Sequence, residues 1–176
     1  MRYWWANQKH TYDAEVLGGF LWCRQRRANG SRNPFYENMR MVSPGDLIFA
    51  YHNAEIRAIG IALSRARAAR PPAAAIAPTV APDVPGWLLD VAWLELKRPL
   101  HPGPFMGILA PLLPELHAPL TPGGKGIQGG RLLEIPDRLA RALLQLAGGS
   151  DPARLVNPDW QPHQLRFGFA EQDEAT

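Results

Sequence analysis

The sequence predicts an α+β domain with a small, strongly curved β-barrel flanked by short helices. Three observations support this class. Several short segments alternate apolar and polar residues, as half-buried strands do. Only a few stretches have helical periodicity, and one of them lies near residue 140. The length of 176 residues and the hydrophobic content of 46% suit one core.

The first elements are a strand and a short helix. Residues 2–5 (RYWW) are aromatic and favour a β-strand. In the segment NPFYENMRMV, Asn33 is suited to cap a helix whose first position is Pro34, where a missing N–H costs nothing.

Two further strands follow a turn. Residues 43–46 (SPGD) have turn composition, and residues 47–51 predict a strand. Residues 56–66 (IRAIGIALSRA) predict the next one, and Gly60 within it indicates a bulge or a close approach of another chain segment.

The proline-rich segment 69–86 has no periodicity and predicts a long loop, with a domain boundary as the alternative. A β pattern resumes at residues 87–100. Residues 103–113 (GPFMGILAPLL) predict a short helix.

A glycine-rich loop precedes the last two elements. Residues 121–135 (TPGGKGIQGGRLLEI) predict this loop and then a strand. Residues 136–149 predict an amphipathic helix with one apolar face, made by Leu139, Leu143, Leu144 and Ala147. We therefore place the domain at residues 1–149 and interpret residues 150–176 as a polar tail or the start of a linker.

Charge is distributed unevenly along the chain. Residues 1–70 hold 11 Lys/Arg and 5 Asp/Glu, a balance of +6, whereas the net charge of the whole chain is +3. Aromatic residues crowd the same part, among them Trp4, Trp5, Trp22, Phe35, Tyr36, Phe49 and Tyr51. Aromatic faces stack on bases and arginines neutralise phosphates, so this combination favours a nucleic-acid partner over a scattered, solvated set of arginines.

Motifs of catalysis and metal binding are weak. The segment PGGKGIQGG lacks the hydroxyl residue and preceding strand of a phosphate-binding loop, and no two histidines have helical ligand spacing. Cys23 beside Arg24 could be a nucleophile, but an inert buried thiol is the more common situation. We expect no enzyme activity, no metal and no cofactor.

The chain has no signal peptide or membrane-spanning run, which predicts a cytoplasmic protein without a membrane partner.

The order of several short motifs resembles the EVE domain of the PUA-like superfamily over roughly residues 1–147. The matching elements are Tyr3-Trp4, Trp22, Arg32-Asn33, Met39 to Leu47, Phe49 to His52 and Gly60 to Ala62. RNPFYENMR and GIQGGRLLEIP are similar to the N-terminal domain of bacterial EVE-HNH endonucleases, which are modification-dependent restriction enzymes. The chain has no His-Asn-His-type segment, so we expect it to bind DNA without cutting it.

The resemblance implies a PUA-like barrel that flips a modified cytosine, 5-methylcytosine or 5-hydroxymethylcytosine, out of double-stranded DNA. The chain would then be either the reader domain of a longer enzyme, with a linked HNH nuclease domain as its partner, or a stand-alone reader. The base pocket would use Trp5, Asn7, Trp22, Asn33, Tyr36, Tyr51 and His52. The DNA backbone or groove would be met by Arg24, Arg26, Arg27, Arg32, Lys125 and Gln128.

Two alternatives stay open for function. Relatives of the PUA-like fold also bind RNA, and contacts to the 2′-hydroxyl would favour that ligand. A small amidohydrolase acting on a modified nucleoside, as in some related ASCH domains, is the enzyme alternative.

Overall fold

The computed structural model describes residues 1–73 and 81–148. In these ranges the chain forms seven strands, four short α-helices and connecting 3₁₀ turns. The strands are β1 (Tyr3–Asn7), β2 (Phe20–Arg24), β3 (Leu47–His52), β4 (Glu55–Ala62), β5 (Arg67–Ala69), β6 (Gly86–Leu100) and β7 (Leu132–Ile135). The helices are α1 (Tyr12–Gly18), α2 (Pro34–Glu37), α3 (Met106–Leu109) and α4 (Asp137–Leu146).

The strands form one mixed sheet in the order β2-β6-β4-β3-β1-β7, with β5 paired to β6. Only β1 and β3 pair in parallel, and the other pairs described are antiparallel. The sheet curls into a half-barrel with short helices around it. The predicted class, an α+β protein with a small curved β-barrel, is confirmed.

The long strand β6 carries much of the curvature. Its first residues pair with β2 and β5, and its later residues pair with β4. At Gly60 in β4, an added Cβ would lie 2.5 Å from Val91 Cγ1 and 2.6 Å from Trp93 Cε3. Gly60 therefore marks a close approach, one of the two features predicted there, while the register shifts of β4 lie elsewhere.

The two faces of the sheet bury different apolar clusters, because neighbouring residues of a strand point to opposite faces. Trp4 lies in the cluster that also holds Ile48, Leu89 and Trp93. Trp5 lies on the other face, in the cluster that α4 completes; its members from this helix are Leu139, Ala140, Leu143 and Leu144. The apolar face predicted for this helix is thus confirmed as core.

A buried carboxylate holds the turn before β3. Asp46 accepts hydrogen bonds from the Ser43 amide at 2.9 Å, the Arg2 amide at 2.8 Å and the Trp4 indole at 3.0 Å. Burial alone raises the pKa of Asp46, but these hydrogen bonds outweigh it, and the pKa lies below its ordinary value. The turn predicted at residues 43–46 therefore exists and ties the start of β1 to β3.

A second buried carboxylate, together with its arginine partner, connects α1 to strands β1 and β2. Glu15 of α1 is fully buried and forms an ion pair with Arg131, which directly precedes β7. Arg131 also donates to the Asn7 carbonyl at 2.7 Å and the Trp22 carbonyl at 2.9 Å. The pair therefore links α1 to strands that are not neighbours in the sheet order.

Other sequence-based predictions compare as follows. The strand starting the domain, the helix capped by Asn33, and the strands at 47–51 and 87–100 are present; Asn33 Oδ1 accepts from the Phe35 amide at 2.9 Å. Residues 103–113 form 3₁₀ turns around α3 rather than one continuous helix.

Helix α1 and strand β2 were not predicted. The middle of the proline-rich loop and the tail at 150–176 lie outside the described residues.

Candidate nucleic-acid interface

An open cleft of about 650 Å³ lies where the parallel strands β1 and β3 end. Its volume falls in the range of small-molecule sites. Four other parts of the chain complete it: residues 8–10 after β1, Tyr36 of α2, the turn after β3 and the glycine-rich segment before β7. The lining residues are Asn7, Gln8, Lys9, His10, Tyr36, Tyr51, His52, Asn53, Ala54, Gly126, Ile127, Gln128, Gly129, Gly130 and Arg131.

Parallel pairing explains why this polar set meets. Asn7 is the register partner of Tyr51, so the last residues of both strands lie side by side. The two-residue turn Asn53–Ala54 then reverses the chain, with φ of 49° and 64°. Both values are left-handed, as a tight type I′ hairpin requires.

Tyr51 forms a fixed wall of the cleft. Its ring packs on Trp5 with centroids 4.8 Å apart, and its hydroxyl accepts a 3.0 Å hydrogen bond from the Gly126 amide. An added Cβ at Gly126 would lie 2.4 Å from Tyr51 Cε1, so only glycine lets the loop approach this closely. Trp5 is fully buried behind Tyr51 and supports the wall.

Asn7 holds the glycine-rich segment in place. Its Oδ1 accepts from the Trp5 indole at 3.1 Å, and its Nδ2 donates to the carbonyls of Gly130 and Ile127. Both ends of the amide are therefore engaged within the protein. Asn7, a predicted base-pocket residue, lines the cleft, and its hydrogen bonds position the glycine-rich segment.

His52 is held by two contacts. Its Nδ1 lies 2.8 Å from the Gln8 carbonyl, and its ring stacks on Tyr12 at 5.1 Å with an interplanar angle of 23°. Since a carbonyl only accepts, Nδ1 carries the proton. In the neutral ring, Nε2 is then a hydrogen-bond acceptor.

Gln8 is a site residue that sequence reasoning missed. Its side chain is fully buried, and Nε2 donates to Glu15 Oε2 at 2.9 Å, which fixes the orientation of the amide. Its Oε1 has no hydrogen-bond partner among the described residues. The only sequence signal was its position directly after the strand that supplies Asn7.

The lining of the cleft carries basic but no acidic side chains in the described chain, and one of the basic ones, Arg131, is paired with Glu15. The other basic residue is Lys9. Lys9 and Gln128 are exposed at the rim, and Lys125 is exposed just before the lining segment. Two of the predicted groove residues, Lys125 and Gln128, thus lie at or beside the cleft.

Two predicted pocket residues lie elsewhere. The Trp22 ring covers Gly86, packs with Phe20, and donates from Nε1 to the Ala69 carbonyl at 3.2 Å. Asn33 is 2% exposed and caps α2. The structure therefore brings together Asn7, Tyr36, Tyr51 and His52, with Trp5 behind them, and leaves Trp22 and Asn33 outside the cleft.

The four predicted backbone-binding arginines lie at the end of β2 and in the loop after it. Arg26, Arg27 and Arg32 are exposed, and Arg24 is half-buried. Arg26 donates to the Gly30 carbonyl at 3.1 Å. Residues 16–36 contain these arginines and no acidic residue, so the loop is a positively charged surface.

Cys23 lies beneath this loop. It is buried, and burial raises its pKa to about 12, so the thiol is protonated at neutral pH. Its Sγ lies 3.8 Å from the Tyr36 carbonyl. Within residues 1–73 and 81–148, no three His, Cys, Asp or Glu side chains gather as a metal site would require.

No helix in the described ranges has the length and hydropathy needed to cross a bilayer.

Comparison with solved structures identifies the class of fold. The chain is similar to a structural-genomics protein from Pseudomonas putida, with 17% identity and a TM-score of 0.53 over 82% of this chain and 98% of that one. It is also similar to the Pho92 YTH domain in complex with N6-methyladenosine, with 12% identity and a TM-score of 0.52 over 88% and 89% of the two chains.

A third similar structure is the YTH domain of the Zygosaccharomyces rouxii MRB1 protein in complex with N6-methyladenosine RNA. Identity is 13% and the TM-score is 0.51, over 82% of this chain and 85% of that one. No family model matches the chain, and no curated protein matches it. At these identities the likeness establishes a shared fold, and that fold is YTH-like.

Proposed function

We propose that this protein is a reader of modified nucleic acid that binds a flipped base in the cleft between Tyr36, Tyr51 and His52. The observation that carries the proposal is the cleft itself, which has aromatic walls, polar groups at its base and no acidic lining residue in the described chain. Its volume accommodates a nucleotide. The chain acts by binding, without a chemical step.

The finer proposal is that the ligand is double-stranded DNA with 5-methylcytosine or 5-hydroxymethylcytosine. It is supported by the resemblance of residues 1–147 to EVE domains joined to HNH nucleases. In such a protein this domain supplies specificity for a restriction enzyme. The loop that holds Arg27 and Arg32 would meet phosphates, because exposed arginines give most of the sequence-independent affinity for DNA.

A second candidate is binding of modified RNA. The observation that favours it is the fold, since one similar YTH domain is in complex with N6-methyladenosine RNA. The two candidates differ in their need for a 2′-hydroxyl.

The test is a fluorescence-anisotropy titration of matched duplexes with cytosine, 5-methylcytosine or 5-hydroxymethylcytosine at one position, beside RNA with adenosine or N6-methyladenosine. We expect one modified DNA to bind at least about tenfold tighter than its unmodified form, or about 1.4 kcal/mol. A preference for modified RNA would establish the second candidate. Equal affinities for every modified and unmodified pair would refute a reader.

A variant tests whether the cleft is the binding site. Tyr36→Ala should weaken binding of the preferred ligand by about 1–3 kcal/mol, the contribution of one aromatic stack. Tyr3→Ala is the matched control, because Tyr3 lies at the opposite end of β1. Equal losses in the two variants, with unchanged melting temperatures, would place the ligand elsewhere.

A further inference from the structure

We infer that His52 Nε2 accepts a hydrogen bond from the bound base, so that the cleft takes a base with an exocyclic amino group and rejects one with a keto oxygen there. The inference rests on the proposed function and adds the chemical class of the base. It follows from the protonation, the position and the accessibility of one imidazole ring.

The protonation of the ring is set by the main chain. His52 Nδ1 lies 2.8 Å from the carbonyl oxygen of Gln8, which cannot donate. The proton of the neutral ring therefore stays on Nδ1. In this tautomer of the neutral ring, Nε2 keeps its lone pair, so it accepts a hydrogen bond from a ligand and has no proton to donate.

The position of the ring is set by Tyr12. The two rings stack with centroids 5.1 Å apart. Tyr12 is itself held by a 3.1 Å hydrogen bond from its hydroxyl to Glu95 Oε1, and the guanidinium of Arg57 lies 5.5 Å from its ring centroid. The imidazole is thus fixed before any ligand arrives, which reduces the ordering cost of binding.

Nε2 is available for a ligand. It has no hydrogen-bond partner among the described residues. His52 is half-buried and lines the cleft. A second acceptor without a partner among the described residues is Oε1 of Gln8, which also lines the cleft.

The side-chain amide of Asn7, in contrast, makes its hydrogen bonds within the protein. Its Oδ1 accepts from Trp5, and its Nδ2 donates to loop carbonyls. The polar groups fixed at the ends of β1 and β3 therefore offer acceptors to a ligand. Cytosine presents N4–H₂ as a donor, whereas thymine presents the O4 acceptor together with the same 5-methyl group. An O4 atom facing Nε2 would leave two acceptors unpaired.

The experiment compares three bases, each placed opposite an abasic site so that base pairing does not affect the cost of flipping. The bases are 5-methylcytosine, thymine and 5-methylpyrimidin-2-one, which has hydrogen in place of the amino group. We expect 5-methylcytosine to bind at least about tenfold tighter than either of the others. The comparison with 5-methylpyrimidin-2-one isolates the amino group, because this base keeps the unprotonated N3 of cytosine.

The protein side of the test uses His52→Asn, whose amide can still donate near the position of Nδ1 but lacks Nε2. We expect this variant to reduce the preference for the amino base to within about threefold. His117→Asn is the control, since His117 is exposed, packs on Phe35 outside the cleft and has a φ of 57° that asparagine adopts easily. It should keep the full preference.

The outcomes separate the two hypotheses. Unchanged discrimination in His52→Asn, or equal binding of 5-methylcytosine and 5-methylpyrimidin-2-one by the original protein, would overturn the role of His52 while leaving a reader. No preference for 5-methylcytosine or 5-hydroxymethylcytosine over cytosine in an ordinary duplex, and none for modified RNA, would overturn both. If His52→Asn does not fold, the comparison of the three bases with the original protein decides alone.

Discussion

Replacing the buried carboxylate of Glu15 should destabilise the whole domain. In Glu15→Gln, the guanidinium of Arg131 would lose its counter-charge. The side chain of Arg131 is only 12% exposed, so water would compensate little for this loss. The carboxylate also accepts from the Trp22 amide at 2.9 Å, from Gln8 at 2.9 Å and from the Thr11 hydroxyl at 2.8 Å. Removing one partner of a buried ion pair costs about 3–5 kcal/mol, a large part of the stability of a small domain.

Urea unfolding followed by circular dichroism measures this loss. The matched control is Glu134→Gln, since Glu134 is half-exposed and its contact with Arg2 is 3.7 Å; we expect a cost of about 1 kcal/mol or less. In a double-mutant cycle, Glu15→Gln and Arg131→Gln should show a coupling of about 1–3 kcal/mol. Equal losses in Glu15→Gln and Glu134→Gln, or additive losses in the cycle, would refute a stabilising ion pair between Glu15 and Arg131.

Four further predictions test other parts of the structure. Asp46→Asn should lower the free energy of unfolding by about 1.5–3 kcal/mol at pH 7. Because the pKa of Asp46 is depressed in the folded state, this difference should shrink as the pH falls below the ordinary value of 3.8; a difference independent of pH would contradict it. Ala54→Gly should stabilise by about 0.5–1 kcal/mol, since glycine relieves a φ of 64°, and thermal unfolding measures this. Cys23 should resist a disulfide reagent at pH 8 until the protein is unfolded, because burial raises its pKa to about 12; rapid labelling of the folded protein would contradict this. In the DNA-binding assay, Arg27→Gln and Arg32→Gln should each make the slope of log affinity against log salt shallower by about 0.9, with no change in the preference between modified and unmodified duplexes.

Local patterns were sufficient to predict most strands and the last helix. The alternation in residues 47–51 and 87–100 reflects burial on one or both faces of a sheet, which acts directly on the local sequence. The cap at Asn33 was predictable for the same reason, since its hydrogen bond spans only two residues. Such features need no knowledge of distant partners.

Helix α1 and the cleft depend on distant partners, which the local sequence does not specify. Glu15 is buried in α1 because Arg131, far along the chain, neutralises it. Asn7, Tyr51 and His52 drew attention in the sequence because aromatic and polar residues end both segments, and the structure shows that all three line one cleft. The proximity of Gln8 and the glycine-rich segment follows from the parallel register and from Asn7, and no local period encodes either.

Trp22 illustrates the ambiguity of an aromatic residue beside arginines. Its neighbours in sequence suggested a ligand wall, yet a tryptophan on a strand is equally suited to cover a glycine on the adjacent strand. Strand β2 pairs with β6, and the missing Cβ of Gly86 provides the space for the indole. The deciding residue lies more than sixty positions away, where sequence inspection alone gave no reason to look.

The glycine-rich segment is fixed to the rest of the domain at both ends and is exposed between them. Its start is held where Leu120 pairs with Gly126, and its end is held at Arg131, which also forms the ion pair with Glu15. Between these anchors, Gln128 and Gly129 are exposed and contribute little to the core. We therefore expect substitutions or insertions at Gln128 and Gly129 to alter the rim of the cleft with little effect on the stability of the sheet.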